Sequence, residues 1–182
     1  MNNRRMILLT ALGLSLVLFC FCALVQAQDV KYNYEPGADF SKYKTYKWVD
    51  VPDAKYPDQL TSNQIKVALD SELLLKGLTR TEDDKADLYV AYQIAISEET
   101  QWYASSYGGR YRAMGGMGTA TSSTIKIGTL VLDMYDVAEK KQVWHGDATK
   151  TLDPSKDPKK NQEKLQKVAK KLLKNYPPPV KK

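Results

Sequence analysis

Apolar and polar side chains alternate most regularly along residues 88–97. Every second position is apolar, and the residues between are small or polar: the apolar positions are Leu88, Val90, Tyr92, Ile94 and Ile96. Successive side chains of a strand point to opposite faces of a sheet, so this alternation predicts a strand with one buried face.

Four further segments have the pattern of strands. Residues 30–34 alternate, and residues 43–49 are rich in β-branched and aromatic side chains. Residues 124–136 turn through 137–141 into a hairpin partner at 142–149. The side chains predicted to face inward are Leu130, Leu132 and Met134 on one hairpin strand and Trp144, Gly146 and Ala148 on the other. Gly128 is predicted to be a bulge or twist point.

Helical spacing replaces alternation in two places. In residues 62–76, apolar side chains recur every three or four positions, Thr61 and Gln64 fit a capping box, and Gly77 suits the position after the helix. Near the C-terminus, Asp157 and Pro158 fit the start of a second helix, which the prolines from 177 onward end. The apolar face of that helix carries Leu165, Val168, Ala169, Leu172 and Tyr176, and its opposite face carries Lys164, Lys167, Lys170, Lys171 and Lys174.

The predicted order ββαβββα has no repeated β-α alternation. This order is typical of an α+β fold with a mainly antiparallel sheet of about five strands and two helices packed on one face. A chain of 182 residues has room for one such domain, which we assign to residues 28–182.

Residues 1–27 have the pattern of a cleavable secretory signal peptide. Arg4 and Arg5 precede a charge-free apolar run, and the small residues Val25 and Ala27 fit a cleavage site before residue 28. The run is also near the length of a membrane span, so a retained anchor is the alternative. A lipid anchor is disfavoured, because Cys20 and Cys22 each follow a phenylalanine where a small residue is needed. The expected location is therefore periplasmic or exported.

Charge and cysteine content narrow the chemistry of the mature chain. Both cysteines lie in the signal peptide, which excludes disulfides, a thiol nucleophile and a cysteine zinc site from the domain. Residues 156–182 hold ten lysines and two acidic residues, so the basic character belongs to one element. The lysine face from Lys164 to Lys174 is a possible peripheral contact with an anionic membrane surface. Nucleic acid is not expected as a partner of an exported protein.

The most unusual segment spans residues 102–123, which we predict to be a long loop. Loops of this length are usually functional or disordered, and tyrosine, tryptophan and arginine dominate binding hot spots. The candidate binding residues are Trp102, Tyr103, Tyr107, Arg110, Tyr111 and Arg112. The segment predicts a non-catalytic module that binds an envelope protein or another envelope component.

Two alternatives remain open. An α+β domain can also carry a lipid or small apolar ligand between helices and sheet. A hydrolase would use Asp133, Asp136 and His145, but residues three apart on a strand face opposite sides, and His145 fits a solvent-facing strand position. No phosphate loop, dinucleotide fingerprint or nucleophile elbow is present, and we expect no cofactor or metal.

Six ordered motifs resemble those of a bacterial envelope family, the domain of unknown function family 4136. They are YEPGADF at 34–40, KTYKW at 44–48, ADLYV at 86–90, GTLVLDMYD at 128–136, KQVWHG at 141–146 and NYPP at 175–178. The resemblance covers nearly all of the mature chain and implies an α+β fold and an envelope location. Many members look like lipoproteins, and this chain differs from them in lacking the lipidation motif. The resemblance implies no catalytic residues.

Overall fold

Within the residues that the structure describes, six strands form one sheet: β1 (Asp29–Tyr34), β2 (Thr45–Trp48), β3 (Thr79–Arg80), β4 (Leu88–Ser105), β5 (Thr119–Asp136) and β6 (Lys141–Thr151). The computed structural model describes residues 29–105 and 119–179, of which 101–105 and 119–121 are described as backbone only. The strand order across the sheet is β1-β6-β5-β4-β2-β3. The α+β prediction is confirmed, with one strand more than expected, because the two-residue β3 is too short to show a pattern.

The sheet is antiparallel from β1 to β4 and parallel at its other edge. β2 runs parallel to both β3 and β4. The chain leaves β2 through the helix α1 (Gln59–Leu75) and returns in the same direction, as a helical crossover requires.

The starts of the two helices differ in how well the sequence predicts them. α1 begins at Gln59, because Asp58 caps it by accepting a hydrogen bond from the Thr61 amide at 3.0 Å. The predicted capping box at Thr61 is therefore wrong. Gly77 follows α1 with φ at +86°, as predicted. The second helix, α2 (Pro158–Leu172), has Asp157 as its N-cap, also as predicted, and a single 3₁₀ turn, Leu173–Asn175, follows it.

Both helices pack against one face of the sheet, where the core lies. The predicted inward sets are confirmed: Leu132, Met134 and Trp144 are fully buried, and Ala148 nearly so. Leu69 of α1 and Leu172 of α2 cover them in the same core cluster. The irregularity in the hairpin lies between Met134 and Tyr135, and not at Gly128 as predicted.

The largest correction concerns the segment predicted as a long loop. β4 and β5 pair continuously from Leu88 opposite Asp136 to Ser105 opposite Thr119. Residues 102–105 and 119–123 are therefore strand, and the connection between them is confined to residues 106–118. The sequence pattern missed this extension because its residues are not alternately apolar and polar, which is the signal that identified the rest of β4.

Candidate functional site

A groove of about 320 Å³ lies between the two helices and the sheet. The sheet contributes Ile94, Leu130 and Ala148 to its walls, and the helices contribute Ile65, Leu165 and Val168. Concave, mainly apolar sites of this size are typical of small-molecule binding sites. Its lining is more apolar than that of a larger cavity of about 560 Å³ elsewhere in the described part of the chain, which Tyr34, Phe40 and Pro178 help to line.

The groove exists because the strands are longer than the helices that cover them. β4 has 18 residues and α2 has 15, which correspond to about 60 Å of strand and about 22 Å of helix. Along β4 the inward side chains therefore change from buried Tyr92 to half-buried Ile94 and then to Ile96, which is 64% exposed. The apolar face of the sheet thus continues past the helices, and the groove opens at that end.

Leu152 forms one wall of the groove by folding over Gly128. A hydrogen bond of 2.7 Å from the Leu152 amide to the Lys126 carbonyl holds the end of β6 beside β5. A Cβ atom on residue 128 would lie 2.6 Å from Cδ2 of Leu152, so only glycine leaves this side chain where it is. The role of Gly128 is close packing against Leu152.

Hydrogen bonds hold the rim of the groove in place. Asn161 binds the backbone of Ser155 twice, accepting from its amide at 2.7 Å and donating to its carbonyl at 2.8 Å. Lys164 donates to the side chain of Asp153 at 3.2 Å. These contacts fix the connection between β6 and α2, so the groove is preformed. Lys150 of β6 also lines the groove.

The residues predicted as a binding loop fall into two groups. Trp102 and Tyr103 lie on β4, opposite Ser122 and Thr121 of β5. The other four predicted residues lie outside the described residues: Tyr107, Arg110, Tyr111 and Arg112. The predicted binding segment is therefore continuous with β4 and β5, which also line the groove. The role of its side chains stays a prediction.

Asp133 and His145 form a pair on the sheet face opposite the helices. They are directly opposite each other on β5 and β6, and Nδ1 of His145 lies 2.6 Å from Oδ1 of Asp133. Gln142 donates to the same oxygen at 2.6 Å. The sequence predicted a solvent-facing His145, and its side chain is 40% exposed. The pairing with Asp133 was missed, because it depends on the hairpin register.

Asp136 belongs to a separate buried network. Tyr43 donates to its Oδ2 at 2.8 Å, Lys42 pairs with it at 2.7 Å, and the Glu139 amide donates to Oδ1 at 2.8 Å. Burial raises the pKa of Asp136, but the hydrogen bonds from Lys42, Glu139 and Tyr43 outweigh it and lower this pKa from 3.8 to about 2. Burial and the bond to Asp136 raise the pKa of Tyr43 to about 12.

These positions do not assemble the trio that a hydrolase would need. Asp136 lies two residues after inward-facing Met134 on β5 and is therefore on the same face of the sheet. Asp133 and His145 lie on the other face. In residues 29–105 and 119–179, no group of three His, Cys, Asp or Glu side chains is arranged to hold a metal ion. Within the same ranges, the helices are too short or too polar to cross a bilayer.

The family assignment follows from a match over most of the chain. Residues 30–178 match the family described as Domain of unknown function (DUF4136). The chain belongs to the DUF4136 family. The matched range contains both helices, all but the first residue of the sheet, and every residue that lines the groove. No curated protein that was compared matches the chain.

One solved structure shares the fold of this DUF4136 domain, and a second is similar to it, both at low sequence identity. A PDZ domain protein from Parabacteroides distasonis is 16% identical with a TM-score of 0.52; the match covers 85% of this chain and 37% of that one. The chain thus spans little more than a third of that protein. PelC from Paraburkholderia phytofirmans, solved as a dodecamer, is 12% identical with a TM-score of 0.49, covering 81% of this chain and 95% of that one.

Proposed function

We propose that this DUF4136 domain is a non-catalytic binding module that holds an apolar ligand in the groove between its helices and sheet. The observation that carries the proposal is the apolar lining of a preformed groove that stays open at one end. A groove of about 320 Å³ is at the lower limit for sites that enclose a small ligand, so it suits a single acyl chain or a small ring system. Burial of an apolar ligand there is favoured by about 25 cal/mol for each Å² removed from water.

The proposed setting is the bacterial envelope. Its support is the signal-peptide pattern of residues 1–27, which lie outside the described residues. An apolar ligand that crosses the aqueous space between two membranes needs to be shielded from water, and a groove of this kind provides that shielding. The domain would then act as a carrier or as a sensor of such a ligand.

The hairpin formed by β4 and β5 gives a second proposal for where a partner binds. Trp102 lies on the same strand as Ile94 of the groove, eight residues further along the chain. A partner that binds at Trp102 would therefore lie about 26 Å from Ile94 along β4, beyond the open end of the groove. This arrangement suits a carrier that transfers its ligand to a second envelope component.

A pair of tryptophan variants on β4 tests groove binding. Ile94→Trp fills the groove, whereas Gln93→Trp, one residue earlier, places the same side chain on the other face of the sheet. The probe is the apolar fluorophore 1-anilinonaphthalene-8-sulfonate, titrated into the folded protein with dodecanoate as competitor. The proposal predicts that Ile94→Trp weakens probe binding by about ten-fold or more and that Gln93→Trp leaves it unchanged. Equal binding by both variants would reject the groove as the site.

A further inference from the structure

The lysine face of α2 points away from the sheet. Ala169 and Leu172 are buried in the core, and at about 3.6 residues per turn the lysines fall on the opposite side of the helix. Lys164 pairs with Asp153. Within residues 29–105 and 119–179, the other lysines of this face have no carboxylate partner: they are Lys167, Lys170, Lys171 and Lys174. Glu163 is the one acidic residue of α2, so the lysine face has a net positive charge.

An apolar row lies on the outward side of α1. It consists of Leu60, Val67 and Leu74, which are 76%, 55% and 63% exposed. These side chains lie opposite the buried Leu69, on the side of a surface helix where polar residues are normally found. The charge of the neighbouring helix indicates what covers this row.

The two helices run side by side in the same direction. The side chain of Gln162 donates to the carbonyl of Gln64 at 3.4 Å, and Nζ of Lys76 donates to the carbonyl of Lys174 at 3.3 Å. Both pairs are separated by 98 residues, so the helices advance in register. Packed helices lie about 8–10 Å apart. The apolar row and the lysine face therefore form one surface, about 25 Å long, which we call the outer helix surface.

We infer that the outer helix surface binds an anionic lipid bilayer. The lysine face meets the lipid phosphates, and the apolar row enters the boundary between headgroups and acyl chains. Helices that lie on membranes combine the same two features, lysines on one side and leucine or another large apolar residue beside them. Each lysine close to an anionic bilayer is attracted to it.

The apolar row favours a bilayer over a soluble polyanion. A soluble polyanion would pair with the lysines but offers no apolar phase to cover Leu60, Val67 and Leu74, whereas the acyl chains of a bilayer do. The groove lies on the inner side of the helices, between them and the sheet, so this inference stands apart from the proposed function.

Co-sedimentation of the mature protein with lipid vesicles tests the charge requirement. The vesicles contain equal parts of phosphatidylglycerol and phosphatidylcholine, and pure phosphatidylcholine vesicles are the control. The wild type is expected to bind the mixed vesicles about ten-fold or more tightly than the neutral ones and to be released by salt, which screens exposed charges. Lys167→Gln with Lys170→Gln is expected to weaken this binding about ten-fold or more. Lys31→Gln with Lys85→Gln removes the same charge from exposed positions outside the helices and should leave binding within about two-fold of wild type.

A fluorescent label tests whether the apolar row enters the bilayer. Both cysteines of the chain lie in the predicted signal peptide, so a single introduced cysteine is a unique labelling site. A nitrobenzoxadiazole label on Val67→Cys is expected to brighten and shift to shorter wavelength on the mixed vesicles. The same label on Asn33→Cys should not respond, because Asn33 lies opposite His145 on the other face of the sheet.

Controls separate this result from misfolding and from lipid uptake by the groove. Circular dichroism and the thermal midpoint should show that every variant folds, since the changed positions are at the surface. Ile94→Trp, which fills the groove, should bind vesicles as the wild type does. Equal binding to neutral and mixed vesicles would overturn the inference, as would unchanged binding by Lys167→Gln with Lys170→Gln, or a label at residue 67 that does not respond on bound vesicles. Binding to heparin without binding to vesicles would also overturn it and assign the lysine face to a soluble polyanion.

Discussion

The side chain of Leu152 occupies the space next to residue 128, where a Cβ atom would lie 2.6 Å from its Cδ2 atom. Gly128 and Leu152 are thus fitted to each other, and together they form one wall of the groove. This fit leads to a prediction that can be tested without knowing the ligand.

Gly128→Ala is expected to destabilise the protein by less than about 1 kcal/mol, because the new methyl group displaces the partly exposed Leu152 side chain, which can rotate away from it. In a Leu152→Ala background the same change should be neutral or slightly stabilising, since alanine restricts the unfolded chain more than glycine does. Urea unfolding of the four proteins gives the coupling between the two sites. Additive effects would show that the two residues are not in contact.

Asp136 is predicted to make stability depend on pH in the acid range. Its pKa is lowered from 3.8 to about 2 by Lys42, the Glu139 amide and Tyr43, which outweigh the effect of burial. A carboxyl group with a lowered pKa stabilises the fold fully above its unfolded pKa, and this contribution disappears as pH falls from about 4 to about 2. The contribution is about 2 kcal/mol.

The Asp136→Asn variant provides the comparison for this pH effect. The difference in unfolding free energy between wild type and variant should be largest near neutral pH and shrink below about pH 4. Denaturant titrations at several pH values measure it. A difference that stays constant down to about pH 2 would contradict the role assigned to the charged carboxylate.

His145 is predicted to stabilise the fold and to take no part in ligand binding. His145→Ala leaves the buried Asp133 carboxylate with Gln142 as its remaining side-chain donor, at a cost of about 1–3 kcal/mol. Because both residues lie on the sheet face opposite the groove, fluorophore affinity should be unchanged. Loss of fluorophore binding by a folded His145→Ala variant would show that this face takes part in binding.

The hairpin proposal has its own test in intact cells. Replacing Trp102, Tyr107, Arg110 and Tyr111 by alanine should remove crosslinks to a partner. The thermal midpoint and the groove affinity should stay unchanged, since the described core and groove are built from other residues. The readout is mass spectrometry of the crosslinked species. A partner retained by the folded variant would place the contact elsewhere, with the lysine face of α2 as the next surface to change.

The sequence predicts best where burial leaves a periodic pattern. The inward faces of β4, β5 and β6 were predicted correctly, because Leu132, Met134 and Trp144 must all reach one core. The extension of the hairpin past Ile96 was missed, since a strand beyond the helices has no core to impose alternation. α1 was predicted to start too late because Thr61 and Asp58 both have capping side chains, and only the fold shows which one is used.

The candidate site was largely hidden from the sequence for a different reason. The groove results from the difference in length between strands and helices and from the turn of Leu152 over Gly128. Both relationships join residues that are far apart in the sequence, so the pattern of a single segment does not reveal them. The pairing of Asp133 with His145 likewise depends on hairpin register, which the irregularity after Met134 changes by one residue.

The most direct test of ligand binding is native mass spectrometry of the protein purified from its own host without added ligand. Wild type and Gln93→Trp are predicted to carry an extra mass that dissociates on activation, and Ile94→Trp is predicted to lack it. The same bare mass for all three proteins would contradict the proposal that the groove holds an apolar ligand.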